Sequence, residues 1–393
     1  MAVSVMQFRN AATAGEGTAY TLSEQANQMD FFDTSSAGSG AFTAFAYSLM
    51  YFHDSATAEN VTFNFIGGDY LATLVFYNSS TAANGTFTLS GAGAGYGSEV
   101  AFVDSSTAGH ALFNIGYDSL LVLNDTATAD HGAFANAGEI VLYGETLGNA
   151  VITNSGSSDP AFGSASLNIY FESTAGDAVI TNDGATTSGV FGAATNFVGF
   201  LDFSIATAGN ATIIASPGSN GGGGGFIYFT LATDGGTSRI ELFGNGTGDF
   251  SSGTLDISEH NPPGVTIGSL EGSGLVTLGA NELTIGSNNL STLFSGVIEE
   301  GQNGTGGSLV KSGMGRLTLS NASTYTGGTT VSEGTLLVTN RTGSATGTSS
   351  VTVNGGAFGG TGKVSGALTI GTATTAAILA PGSGKKPGKL TTT

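Results

Sequence analysis

This sequence has no cysteine and no tryptophan, and only 6 prolines among 393 residues. No disulfide staples it; the lack of thiols is compatible with a chain that crosses an envelope unfolded and equally with chance composition. So few prolines exclude a proline-rich disordered chain, even with 65 glycines, because the glycines sit between patterned segments. Charge is scarce too, at 10% of residues against about 25% in an ordinary domain. With 40% hydrophobic residues, that scarcity argues for order. Basic residues are fewest, 9 against 29 acids, giving a net charge of −20. Nucleic acid and anionic membrane surfaces are thereby disfavoured as partners. No apolar run reaches the ~20 residues of a membrane span. Residues 41–52 come nearest and are broken by Thr43 and Ser48, so no membrane insertion by this chain is expected. The first residues lack a basic stretch followed by an apolar core, so no signal peptide is read there. The chain is expected to begin at an artificial Met1 or inside a longer precursor. Long apolar periodicity of 3.6 residues is also missing, which leaves an all-β reading.

What is present is a repeated unit. An apolar anchor is followed two residues later by Asp or Asn, then a small-residue turn, then a second apolar anchor. It reads most clearly at 102–115, from Phe102 through Asp104 to Phe113. First anchors fall at Phe8, Phe31, Phe52, Phe76, Phe102, Leu123, Tyr143, Phe171, Phe203 and Phe229. Second anchors fall at Tyr20, Phe42, Phe63, Phe87, Phe113, Phe134, Ile152, Ile180, Ile213 and Ile240. The distance between the two is 12, then 11 five times, then 9, 9, 10 and 11, whereas one copy follows another at 20 to 32 residues. A fixed half and a variable half mark a stacked repeat with insertions in loops on one side.

Each half-unit is short and alternates, as in Thr86-Phe87-Thr88-Leu89, so one face is apolar and cannot be buried by one unit alone. Coiling the chain so that equivalent strands stack about 4.8 Å apart buries it in long parallel sheets. Parallel crossovers are right-handed in nearly all cases. The expected fold is a right-handed parallel β-helix, a β-solenoid. An antiparallel sandwich does not explain why only one segment keeps its length.

Residues 1–260 are expected to form a β-solenoid of units about 20–32 residues long, with Gly221–Gly225 as a flexible loop tip. The Asn261-Pro262-Pro263-Gly264 stretch marks the best boundary, since two adjacent prolines remove two ladder donors. Residues 261–393 then continue the solenoid with narrower rungs such as Leu283-Thr284-Ile285 and Val351-Thr352-Val353.

Residues 308–338 carry the core Leu317-Thr318-Leu319-Ser320, then Thr324-Tyr325-Thr326-Gly327-Gly328-Thr329-Thr330-Val331. This segment resembles the autotransporter-associated β-strand repeat, with Arg316 where such repeats usually have a small residue. The units ending in 174–182 are similar to passenger repeats of the same secreted proteins, and 380–382 looks like a common continuation. The resemblance implies a parallel β-helix that is secreted or held at the bacterial cell surface. The family's membrane barrel is missing from this sequence, so the chain is not expected to secrete itself by that route.

The Phe8, Phe31, Phe52, Phe76 and Phe102 series, with Phe42, Phe63, Phe87, Phe113 and Phe134, is read as an internal ladder, because stacking rings maximises burial. An exposed carbohydrate platform is the rival, and such platforms favour Trp and Tyr. Asp33, Asp54, Asp104 and Asp125 form a second series, interrupted by Asn10 and Asn78. As metal ligands they would suit Ca²⁺, which wants six to eight oxygens. The preferred reading is Asx-turns, each side chain accepting from backbone two residues on. His53, His110, His131 and His260 are scattered, though His110 and His131 lie near one turn of successive units. No dense cluster of acids and bases and no nucleophile elbow is found, so no enzyme and no cofactor is expected.

The favoured function is a non-enzymatic extracellular structural protein, a surface stalk, adhesin or self-assembling fibre. The alternatives are a carbohydrate-active or carbohydrate-binding β-helix and a calcium-stabilised binding module. Residues 334–393 carry +5 and residues 1–333 therefore −25, which favours head-to-tail contact with further copies. Host or environmental surface glycans are the other expected partners.

Overall fold

The computed structural model describes residues 4–23, 27–91, 96–199, 205–302, 304–371, 376–383 and 386–392. Among them there is no helix. Short strands stack in parallel register as a β-solenoid, in two compact units, Met1–Ile180 and Thr181–Thr393.

In the first unit, one sheet runs from Ser4–Phe8 through Asn27–Phe31, Leu49–Phe52, Ala72–Phe76 and Ser98–Phe102 to Leu120–Asn124, Glu139–Tyr143 and Ser166–Tyr170. A second sheet runs from Glu16–Leu22 through Ser39–Phe45, Thr62–Ile66, Thr86–Ser90, Leu112–Ile115 and Ala133–Asn136 to Val151–Asn154. Alternation drives both: in Thr62–Ile66 the side chains of Phe63 and Phe65 are buried, while Thr62, Asn64 and Ile66 are not. The third side is one residue wide. Thr57, Thr81, Thr107, Thr128 and Thr146 bridge in turn, and each hydroxyl accepts the N–H two residues on.

The second unit repeats the two sheets and widens the third side. From Gly264 that side becomes a true sheet, Gly264–Ile267, Glu282–Ile285, Ser308–Lys311, Thr329–Val331, Val351–Val353 and Leu368–Ile370. Its Val265, Ile267, Leu283, Ile285, Leu309 and Val331 are all buried.

Three details differ from the sequence reading. The register pairs Leu123 with Leu142 and Leu142 with Ile169, so the inward anchors are Leu142 and Ile169, not Tyr143 and Phe171. Tyr143 and Phe171 are 43% and 36% exposed. Moving the anchor to Ile169 restores the 11-residue interval to Ile180. Phe203 lies outside the described residues, and the ring that stacks on Phe229 is Phe197, at 4.6 Å. The Gly221–Gly225 tract is not a flexible tip. Gly222, Gly223, Gly224 and Gly225 are buried, and the last three donate to the carbonyls of Val190, Phe250 and Ser216. A Cβ on Gly224 would collide with the Ser252 carbonyl of the next rung, so the tract has no side chains because backbones meet there.

Candidate functional site

The interior ladder is closed to ligands. Phe8, Phe31, Phe52, Phe76 and Phe102 stack at 4.7, 4.5, 4.8 and 4.8 Å. Phe42, Phe63, Phe87, Phe113 and Phe134 stack opposite them at 4.8, 5.1, 4.7 and 5.0 Å. The two stacks meet edge to face, as in Phe52–Phe63 at 6.2 Å and 89°. That geometry places the positive edge of one ring on the negative face of the next. From Phe31 to Phe113 the rings are essentially inaccessible, so none is a platform for a carbohydrate.

The acidic series is brought together, but its bonds run between rungs rather than along the chain. Asp33 Oδ2 accepts the N–H of Asn10 at 2.8 Å, and Asp54 Oδ2 that of Asp33 at 2.9 Å. Asn78, an amide in place of a carboxylate, accepts the N–H of Asp54 through Oδ1 at 3.0 Å. Asp104 Oδ2 and Asp125 Oδ2 do the same for Asn78 and Asp104, at 2.8 and 3.3 Å. Each of these residues has φ between 55° and 65°, a left-handed conformation that Asn and Asp tolerate best. The Asx-turn reading is therefore replaced by a ladder in which each side chain holds the strained turn of the rung before it. Among the described residues no three His, Asp or Glu side chains converge as metal ligands.

His110 and His131 stack at 4.9 Å, and Asp130 Oδ1 meets His131 Nδ1 at 2.6 Å. His260 Nε2 instead meets the Thr233 backbone at 2.9 Å. Asp249 accepts bonds from Asn245, Ser251 and Thr247, which hold its carboxyl down to about 2.

The sequence reading missed an exterior aromatic column. Immediately after the inward anchors Phe31, Phe52 and Phe76 come Phe32, His53 and Tyr77, all half-buried on the outer surface. Phe32–His53 and His53–Tyr77 are parallel within 6° and 5°, at 4.5 and 5.3 Å. The Arg9 guanidinium lies 4.2 Å over Phe32 at the column's end. Tyr51 stands beside it, 5.9 Å from His53 and 6.1 Å from Tyr77. Burial, then Tyr77 and Asp30, raises the Tyr51 phenol. These residues floor a groove of about 480 Å³ that Gln7, Gln28 and Asp30 also line. The available signal was the residue type directly after each anchor.

Glu145 and Lys311 are ionisable side chains buried within the rungs. Glu145, 4% exposed, sits where preceding rungs place Ser106 and Ala127. Its Oε2 accepts from Ser173, while Oε1 has no partner. Burial pushes its carboxyl up to about 8. In the second unit, Lys311 pairs in register with Ile285 and Val331 and points inward. Its Nζ donates to the carbonyls of Ser312, Gly313 and Glu333, and burial lowers it to about 8. Nearby, the fully buried Tyr325 hydroxyl is 2.6 Å from Thr329 Oγ1.

The strands that carry Lys311 and Tyr325's neighbours, Ser308–Lys311, Arg316–Leu319, Thr329–Val331 and Thr335–Val338, make one full rung and the start of the next. Residues 309–338 match the family model of the passenger-associated-transport-repeat. The passenger repeat is thus a β-solenoid rung, with Leu309, Leu317, Leu319, Val331, Leu336 and Val338 inside and Arg316 at the exposed start of a strand. It supports an autotransporter passenger, a class carried to the cell surface or the extracellular space. No curated protein and no solved structure matches the chain.

Proposed function

We propose that this chain is a non-enzymatic structural protein of the bacterial surface, a stalk that holds a binding surface away from the cell. The observation that carries the reading is the passenger repeat at 309–338, set in register within a parallel β-solenoid. The chemistry of the rungs supports it. The regular acidic series Asp33, Asp54, Asp104 and Asp125 is engaged in inter-rung bonds that hold turns. Continuous ladders and stacked rings resist bending, which suits a load-bearing role. The test is protease shaving of intact producing cells, with peptides read by mass spectrometry. Peptides of this chain released before lysis are expected. Release only after lysis sinks the reading.

Head-to-tail self-association is a second form of the same function, favoured by the charge division of +5 in 334–393 against −25 in 1–333. Light scattering at low salt is expected to report assemblies that dissociate as salt rises. A salt-independent monomer overturns that form.

A further inference from the structure

We propose that the groove floored by Phe32, Tyr51, His53 and Tyr77 binds a neutral oligosaccharide. The proposal rests on the surface-display reading and gives the stalk a ligand.

Register between rungs does not require a ring at this outer position. The same outer position carries Val103 after Phe102 and Asn124 after Leu123, and those rungs stack in unbroken register. The interior rings already fill the core of the rungs that carry the column. Tyr51 and Tyr77 cover the buried Val75, Ala101 and Val122, and Phe32 and His53 extend that aromatic surface toward Asp30. The groove's volume of about 480 Å³ falls within the roughly 300–1,000 Å³ of small-molecule sites.

The polar wall is built and held in place. Asp30 is only 2% exposed, yet it lies on the groove. Its Oδ2 accepts from Gln7 Nε2 at 3.1 Å, and its Oδ1 from Gln28 Nε2 at 2.9 Å. One donor per oxygen leaves acceptor capacity, since an ionised carboxylate has about four lone-pair sites. Gln7 is itself fixed, because Arg9 Nε and Nη2 both donate to its Oε1, at 3.3 and 3.2 Å. A pre-set carboxylate loses little freedom when a ligand arrives.

An apolar floor beside fixed acceptors and phenol donors matches a sugar, whose C–H face is apolar and whose rim is all hydroxyl. Charge selects among sugars. Asp30 lines the groove, Arg9 is already engaged, and the chain carries −20, so acidic glycans are repelled. A small organic cation is the competing occupant, since carboxylate and rings also suit one.

Isothermal titration of the full chain decides. The probes are cellohexaose, xylohexaose, maltohexaose and chitohexaose, with tetramethylammonium chloride as the cation. At least one neutral sugar is expected to saturate at millimolar concentration or below. Tyr51→Ala and Tyr77→Ala are each expected to weaken it by about tenfold or more. Asp30→Asn weakens it too, and Phe191→Ala, an exposed ring elsewhere, leaves it unchanged. If Tyr77→Ala melts early, Tyr77→Phe and Asp30→Asn carry the comparison. The proposal is overturned if no sugar saturates, if binding survives the Tyr51→Ala, Tyr77→Ala double variant, or if only tetramethylammonium binds. Display is read separately on cells: a displayed chain that binds no sugar sinks the groove alone, and a sugar-binding chain that is never displayed sinks the stalk alone.

Discussion

Between Phe8 and Phe134 the interior is filled by two stacks of rings, whereas between Val265 and Val353 it is filled mainly by Leu, Ile and Val. The backbone path also differs. In the rungs whose rings meet edge to face across the core, the third side is a column of single bridges, and that column continues through the aliphatic rungs of Leu142 and Ile169. From Gly264 the third side is instead a sheet six strands deep, lined inside by Val, Ile and Leu. Turn chemistry differs as well. The aromatic rungs hold their left-handed turns with inter-rung Asp and Asn side chains, and the passenger repeat instead caps carbonyls with the buried Lys311 ammonium. One strand stacking scheme thus accepts two interiors, provided each buried polar group of the backbone finds a partner.

The comparison breaks most visibly at a ring. Phe102→Ala is expected to destabilise the first unit by about 3–5 kcal/mol, since its neighbours Phe76 and Phe113 lose both the stack and the edge contact. Thermal melting checks it, and a midpoint equal to the parent's rules out the ring stack as the source of stability. In the aliphatic region Lys311→Met keeps the length and removes the donors. A loss of about 1–3 kcal/mol is expected from the orphaned carbonyls of Ser312 and Gly313. If denaturant titration finds Lys311→Met more stable than the parent, the ammonium is tolerated rather than needed.

The turn ladder is tested by a pair of substitutions. Asp104→Ala removes the acceptor for Asn78 and puts alanine at φ 59°, for a loss of about 1–2 kcal/mol. Asp104→Asn retains an acceptor and the tolerated conformation, so it is expected to cost less than half as much. Equal losses would mean that charge, not the bond, matters.

Glu145 gives the effect most specific to pH. Its carboxyl ionises near 4.5 when exposed and is pushed up to about 8 in the fold. Between those values the folded chain keeps a proton that the unfolded chain has lost, so stability falls as pH rises through that window. Glu145→Gln is expected to flatten this part of the pH–melting profile and leave the profile below pH 4.5 unchanged. An unaltered slope in the variant assigns the effect to another group.

Much of this was legible from residue order. The second anchors Phe42 to Phe134 and the narrow strands around Leu283, Leu317 and Val351 are found where alternation places them. Beyond residue 140 the first anchor was misread, and the cause is physical. Tyr143 and Tyr170 stack on one another outside, at 5.4 Å, so they mimic in sequence the regular rings of an interior ladder. A shift of one residue reverses the face, and composition does not say which face is covered. Phe171 adds to the confusion, because it occupies the left-handed turn position, φ 54°, that earlier rungs give to Asp or Asn.

The sequence by itself determined the parallel stacking, since its short alternating segments and constant anchor spacing leave an apolar face that only further copies of the unit can cover. Tertiary structure alone decided what the exposed and polar residues do. Whether Asp104 bonds within its own turn or to the rung before it, whether the glycines of 222–225 are loose or pressed between backbones, and whether Phe32, His53 and Tyr77 form a surface all depend on the register between rungs. That register is set by the buried rings and aliphatic side chains, which pair across whole turns of the chain and so bring together groups far apart in sequence.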